Sequence, residues 1–415
     1  MKNLAFLFLL ALASCQSSHL QIAFNESSLA QRASGVMIKD LSTGKVLFEK
    51  NADQYFMPAS NMKLLTFLQA NRILGNQIPS FKYRETKDTL FFWGTGDISN
   101  LHPGTNNTAL RDFLAASSKV LVYGAPLKPL PIMGSGWAWD DYNDHYSADI
   151  SDMPLYGNLV SFSAAQRRWN IMPDAFASVA KTGPTLEVRR NRLKNEFTLP
   201  ELKTEKYGEQ QVPFMTSPDM TAFLLSDTLH KSVETMPLAV HPDARIFYAG
   251  KMDSLYVPML HESDNAVAEQ LLVMIAAEKG WDPTQVIDNL KKEPGNEFMK
   301  DIRWIDGSGL SRYNLIRPKD FIYILELLSK EVAPERLHAL LPEANKTGTM
   351  RNVQDINPGV RIWAKSGSFG NTYDLSGYYQ TKDGKTLAFS VLSNLGNTSV
   401  REIKKSVVEF LKAIH

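Results

Sequence analysis

The sequence predicts a mixed α/β (α+β) protein in which the two ends of the chain build one antiparallel sheet and a separate β-rich module is inserted between them. Three observations carry this. A hairpin signature stands near the start. A second hairpin followed by an amphipathic helix stands at the end. Between residues 84 and 247 the texture changes to short β-prone runs separated by Gly, Pro, Asn and Asp. The 415 residues, 44% hydrophobic and 21% charged, suffice for two or three domains and can bury a core without a disulfide or structural metal. A formal net charge of +1 argues against a nucleic-acid partner bound by phosphate neutralisation. The division expected is a leader over 1–14, a discontinuous domain of 15–83 and 248–415, and an insertion over 84–247.

The elements follow in chain order. Lys2 precedes an apolar run over residues 4–13, too short to span a bilayer and patterned as a secretory signal peptide. The single cysteine, Cys15, closes Leu12-Ala13-Ser14-Cys15, which resembles the lipobox of bacterial lipoproteins. That resemblance implies cleavage before Cys15, a lipid anchor on it and, with Gln16 next, the periplasmic face of the outer membrane. Residues 34–50 read as a hairpin turning at Gly44. A helix is expected over 59–74, with Pro58 at its start, Gly75 at its stop, and Met62, Leu65 and Leu68 near the helical period. Strands are expected over 89–93, 119–123, 185–189 and 196–199, then a helix from Ser217-Pro218 to about 230. Helices over 263–278 and 318–329 follow. The closing hairpin over 372–380 and 386–393 turns at Asp383-Gly384, and the last helix over 399–414 aligns Val400, Ile403, Val407, Leu411 and Ile414 on one face.

Several chemistries lack their signatures. There is no Gly-x-Ser-x-Gly, no His-Glu-x-x-His and no phosphate loop, and the eight histidines show no metal-ligand spacing. Serine–lysine chemistry remains. A serine hydroxyl needs a base, and a lysine serves when burial and nearby cations lower its pKa. Ser-x-x-Lys occurs three times, at Ser42/Lys45, Ser60/Lys63 and Ser178/Lys181. Only Ser60 opens a periodic helix, where backbone amides and the helix dipole favour an oxyanion. Ser263-Asp264-Asn265 is the only Ser-x-Asn, at an expected helix start, where a plain N-cap fits as well as a proton relay. Tyr156-Gly157-Asn158 is a rival inside the insertion. Lys-Ser/Thr-Gly also occurs three times, at Lys181, Lys346 and Lys365. Lys365-Ser366-Gly367 follows a β-prone run, which places it on a sheet edge open to an extended peptide.

The order of these motifs is that of the penicillin-recognising serine enzymes. The chain resembles the class C low-molecular-mass penicillin-binding proteins, the D-alanyl-D-alanine carboxypeptidase/endopeptidases. Pro58-Ala59-Ser60-Asn61-Met62-Lys63, Ser263-Asp264-Asn265, Asp306-Gly307-Ser308-Gly309-Leu310-Ser311, Lys365-Ser366-Gly367 and Gly136-Trp137-Ala138-Trp139-Asp140-Asp141 carry the resemblance. It departs from the family in having Ser366 where threonine is usual, and in a short insertion. The resemblance implies a penicillin-binding-protein/β-lactamase-like transpeptidase fold. It implies Ser60 as nucleophile, Lys63 as base, and Ser263 and Lys365 as proton relay. Asn265 would hold the substrate amide, Ser366 its carboxylate, and the amides of Ser60 and Ser368 its oxyanion beside Gly367. No cofactor or metal is implied. Partners would be peptidoglycan stem peptides, β-lactam antibiotics and, through Cys15, a membrane. A β-lactamase or esterase on this fold, or a non-catalytic peptidoglycan-binding lipoprotein, are the alternatives. In the insertion, Trp139 and Asp140 either serve the core and a turn, or offer an aromatic wall and a carboxylate to the free ammonium of a diaminopimelate side chain.

Overall fold

A computed structural model describes residues 18–105, 107–354 and 356–414. The leader and Cys15 lie outside the described residues. The chain divides into two compact units, one of residues 18–69, 256–264 and 289–414, the other of 70–255 and 265–288. The second unit is wider than an 84–247 insertion. Strands Gln77–Glu85 and Arg245–Lys251 pair with each other and with its sheet, so they belong there rather than to the first unit. Helix Asn265–Lys279 belongs there too.

The first unit is built on a five-stranded antiparallel sheet. Its strands are β1 (Ala33–Asp40), β2 (Val46–Lys50), β3 (Arg361–Phe369), β4 (Thr372–Gln380) and β5 (Thr386–Asn394), in the order β3-β4-β5-β1-β2. Both hairpins form where their turn residues predict, and β1 joins β5 over the register Ala33↔Asn394 to Asp40↔Leu387. Residues on alternate positions face opposite sides. Val36, Ile38, Leu375, Tyr379 and Phe389 form one side of the core with Ile403, Val407 and Leu411 of the last helix, α3 (Val400–Lys412). Ser399 caps α3, its side chain accepting from Glu402 N and the Glu402 carboxylate returning to Ser399 N, a reciprocal box that satisfies two end donors. Helix α2 (Pro318–Glu331) packs on β5 and β1, where Gly35 is the residue that fits against Phe56 and Pro318.

The helix expected over 59–74 is two pieces, a 3₁₀ turn Ala59–Met62 and an α-helix, α1 (Lys63–Ile73). The pieces meet at Met62 and Lys63, and the first residue of the turn, Ala59, has a left-handed φ of 43°. α1 is not amphipathic: 63–70 is buried all round, as in a helix that lies inside a core.

The second unit carries a five-stranded mixed sheet, with Thr89–Gly94, Val120–Ala125 and Val233–Pro237 parallel, and two three-stranded sheets. Phe81, Phe92, Tyr123, Phe162, Phe176 and Phe214 fill its core with Leu224 and Leu225 of helix Pro218–Leu229. The strand expected over 185–189 is only Arg189–Arg190. Val188 instead gives both backbone groups to the Gln210 amide, at 2.8 Å each. Among the described residues no helix is long and apolar enough to cross a membrane.

Candidate active site

The 3₁₀ turn that replaces the expected helix start is what pairs Ser60 with Lys63. At three residues per turn, positions i and i+3 eclipse. Lys63 Nζ donates to Ser60 Oγ at 2.9 Å and to the carbonyl of Ser308 at 2.7 Å, from a fully buried position. Ser308 sits in a loop folded around one carboxylate. Asp306 accepts from the amides of Gly309 (2.9 Å) and Ser311 (2.6 Å) and from Asn314 Nδ2 (2.7 Å). Thr66 Oγ1 of α1 donates to Gly307 O at 2.7 Å. Gly309, at φ 80°, passes so close to the Ser60 turn that a Cβ would stand 1.8 Å from Ala59 O. Nothing larger than glycine fits there.

The third motif lies on β3, at the sheet edge as its sequence predicts. A Cβ on Gly367 would lie 2.8 Å from Ser60 N and 2.7 Å from Pro58 O, so the strand backbone runs directly against the Ser60 turn. Lys365, fully buried, donates to Ser263 Oγ at 3.0 Å and to Ser366 O at 2.7 Å. Burial first, and neighbouring Lys63 second, hold the Lys365 side chain well below the usual lysine value, with Glu262 opposing. Ser366 Oγ donates to Thr349 Oγ1 at 2.8 Å, and Ser368 is exposed. Ser263 does not start a helix. It has a left-handed φ of 66° at the end of a π-helical turn, Pro258–Glu262, and the next helix begins at Asn265. A strained non-glycine residue of this kind is the sort of feature found where a side chain must be aimed. The first unit thus gathers two Ser–Lys pairs, Ser60/Lys63 and Ser263/Lys365.

Asn265 belongs to the second unit, where its Nδ2 donates to the carbonyl of Tyr146 at 3.0 Å. Tyr146 OH donates to Asp141 and Asp144, each at 3.1 Å; burial first, then these carboxylates, raise its phenol above the ordinary value. Tyr146 therefore links the Trp139–Asn143 turn to the helix of Asn265. Trp139 is not core: it is 65% exposed, with the Arg192 guanidinium 4.5 Å over its ring. Asp140 is exposed.

The rival matches do other work. Ser42 bonds Asp40 through its amide and hydroxyl in the first hairpin turn. Ser178 and Lys181 are exposed, on a turn and a strand. Lys346 pairs with Glu343 at 2.7 Å. Asn158 donates to Asp149 O and Ser151 Oγ, and Tyr156 bonds Thr228, which makes that motif structural. Sequence reasoning assigned no role to Asp306, Ser308 and Thr349. Asp306 and Ser308 share one motif, but a role for the backbone carbonyl of Ser308 leaves no mark in a sequence.

The model of the D-Ala-D-Ala carboxypeptidase 3 (S13) family matches residues 16–183 and 247–414. The chain is 30% identical over 162 residues to D-alanyl-D-alanine carboxypeptidase DacB of Haemophilus influenzae, which covers 37% of this chain and only 34% of that relative. It is 23% identical to a D-alanyl-D-alanine carboxypeptidase of an Actinomadura species, over 89% of this chain and 79% of the relative. Among solved structures, penicillin binding protein 4 from Haemophilus influenzae has the same fold, with a TM-score of 0.72, 19% identity, and coverage of 95% of this chain and 97% of that one. The same protein complexed with a β-lactam matches with a TM-score of 0.64 at 19% identity, over 95% of this chain and 97% of that one.

Proposed function

The chain belongs to the D-Ala-D-Ala carboxypeptidase 3 (S13) family, and from that premise we propose that it is a serine DD-peptidase acting on D-Ala-D-Ala ends of peptidoglycan stem peptides. The observation that carries the proposal is the 2.9 Å contact between Lys63 Nζ and Ser60 Oγ, with a second contact between buried Lys365 and Ser263. Ser60 Oγ attacks the carbonyl carbon between the two D-alanines, and its proton passes to Lys63. The oxyanion is received by the amides of Ser60 and Ser368, a reading supported by the closeness of Gly367 to Ser60 N. Ser263, in contact with Lys365, delivers a proton to the leaving amine, and D-alanine departs. Lys365 and Ser366 receive the terminal carboxylate. Water then cleaves the ester on Ser60. Cross-links ending in D-Ala-diaminopimelate offer the same carbonyl, so endopeptidase action belongs to the same proposal. A β-lactam presents its ring carbonyl to Ser60 and stays attached.

Intact mass after incubation with benzylpenicillin, read together with D-alanine release from a stem peptide, tests this. The wild type gains one penicilloyl mass and releases D-alanine; Ser60→Ala does neither, while Ser42→Ala and Ser178→Ala do both. Labelling that survives Ser60→Ala overturns the assignment. Rapid loss of the adduct with free penicilloate marks a β-lactamase instead. We also propose, from the sequence around Cys15, a lipidated protein on the periplasmic face of the outer membrane. A mature N-terminus other than Cys15 refutes that.

A further inference from the structure

The sheet face that carries Lys365 and Gly367 holds a second polar cluster that the mechanism above does not use. In the β3–β4 register Asp374 stands opposite Gly367 and Ser376 opposite Lys365. Opposed residues of paired strands project to the same face. β4, like β3, packs against the Ala59–Met62 turn. The Asp374 side chain therefore enters the layer between the sheet and the turn.

Asp374 is fully buried. Its Oδ1 accepts from Ser393 N at 2.9 Å and from Asn394 Nδ2 at 3.3 Å. Asn394 brackets the backbone of Met57: its Oδ1 accepts from Met57 N at 2.8 Å and its Nδ2 donates to Met57 O at 3.2 Å. Met57 stands three residues before Ser60. Asn61, the residue after Ser60, is fully buried as well. Asp374 Oδ2 and both polar atoms of the Asn61 amide have no hydrogen-bond partner among the described residues. Asn61 Nδ2 lies 2.9 Å from where a Cβ on Gly367 would stand, and Gly367 is the register partner of Asp374. Buried polar atoms left unpartnered are costly and call for an explanation.

We propose that Asp374 and Asn394 are positioning residues for Ser60, forming with Asn61 a buried polar brace behind the nucleophile turn. The proposal rests on the reading of Ser60 as the nucleophile. Burial holds the Asp374 carboxyl well above the usual carboxylate range, with only the Ser393 amide opposing. The acid form carries a hydrogen on Oδ2, and Asn61 Oδ1 is an acceptor without a donor. Their hydrogen bond, direct or through one water, ties the residue after the nucleophile to the sheet. Asn394 ties the residue three before it. Between the two ties lies Ala59 at φ 43°, a conformation that persists only where its surroundings over-determine it. Neither Asp374 nor Asn394 touches substrate; they act through the orientation of Ser60.

Asp374→Asn keeps the Oδ1 acceptor and sets an N–H where the O–H stood, so its acylation by benzylpenicillin should stay within about threefold of wild type. Asp374→Ala should lose roughly 30- to 100-fold in acylation rate, with KM for a D-Ala-D-Ala peptide changed by less than about threefold, the scale of an ångström-level misplacement. Asn61→Ala should lose a similar factor, and the double variant no more than either single one, because both remove the same brace. Should Asp374→Ala not fold, Asn61→Ala and Asp374→Asn carry the comparison. Amide hydrogen exchange across residues 56–62 reads the brace without any activity: roughly tenfold faster in Asp374→Ala or Asn61→Ala, unchanged in Asp374→Asn. Equal losses in the Asn and Ala variants, a loss confined to KM, additive single effects or unchanged exchange would each overturn the proposal. A wild type that penicillin does not acylate defeats the reading of Ser60 instead, and hydrogen exchange still decides the brace.

Discussion

Gly367→Ala places one methyl group where the strand meets the Ser60 turn. Gly367 does not need a left-handed backbone, so the substitution acts through space alone. Its Cβ would stand 2.7 Å from Pro58 O, 2.8 Å from Ser60 N and 2.9 Å from Asn61 Nδ2. Ordinary contacts begin near 3.4 Å, so the turn must retreat by roughly 0.6 Å. Two of the three atoms are backbone, which cannot swing away as a side-chain end can. If an ångström costs about 100-fold in rate, 0.6 Å costs roughly tenfold to thirtyfold. Overpacking adds about 2 kcal/mol of instability, or roughly 4–8 °C in Tm for a unit of this size. The assay is the second-order rate of acylation by a fluorescent penicillin, with Tm measured in parallel. Gly370→Ala, where a Cβ meets nothing within 4 Å, is the control and should change neither. An acylation rate within twofold of wild type, with Tm lowered or not, would refute the claim that β3 sets the position of Ser60.

Other outcomes follow from the same geometry. A lysine whose folded pKa is depressed is a penalty to stability, fully present below that value and fading as pH rises toward the unfolded value of about 10.4. Lys365→Met should therefore abolish D-alanine release, and its Tm relative to wild type should be more favourable at pH 6 than at pH 10; a difference that is flat or reversed with pH would count against a strained, buried Lys365. Asp140→Asn should raise KM for diaminopimelate-containing substrates by roughly tenfold, about 1.4 kcal/mol, and leave benzylpenicillin acylation nearly unchanged. Arg192 already occupies the face of Trp139, so Arg192→Ala should leave that KM within twofold if Asp140 is the group that matters. Cys15→Ala should move the protein from the membrane fraction to the soluble one, as judged by fractionation.

The parts of the fold that could be read in the sequence are those fixed by local chemistry. Gly44 and Gly384, both at positive φ, mark the two hairpin turns, and Ser399 with Glu402 marks the start of α3. What escaped depends on distant partners. Strand Gln77–Glu85 contains Pro79 and has no clean alternation, because 78–81 is buried on both faces. The left-handed backbone of Ala59, where the expected helix would start, lies against Gly309, far along the chain. Ser263 looks like a helix cap in sequence, yet it ends a π-helical turn before the helix and bonds to Lys365.

The site was legible where chemistry demands particular side chains, and silent where it demands backbone or support. β4 shows how much a pattern can still say. Thr372–Gln380 is buried along nearly its whole length, so exposure does not distinguish its faces. Alternation does. Tyr373, Leu375 and Tyr379 point to the apolar layer under α3, while Asp374 and Ser376 point the other way. A strand buried on both sides gains nothing from polar residues unless polar partners meet them, since each unpaired buried group is costly. Ser376 meets Ser390 Oγ at 2.9 Å, and Asp374 meets Ser393 and Asn394, whose side chain holds the backbone that leads to Ser60. Polar residues at period two in an otherwise apolar buried strand therefore mark a face where polar partners meet them. In this chain that signal stands seven residues beyond Gly367, outside every motif that names a catalytic group.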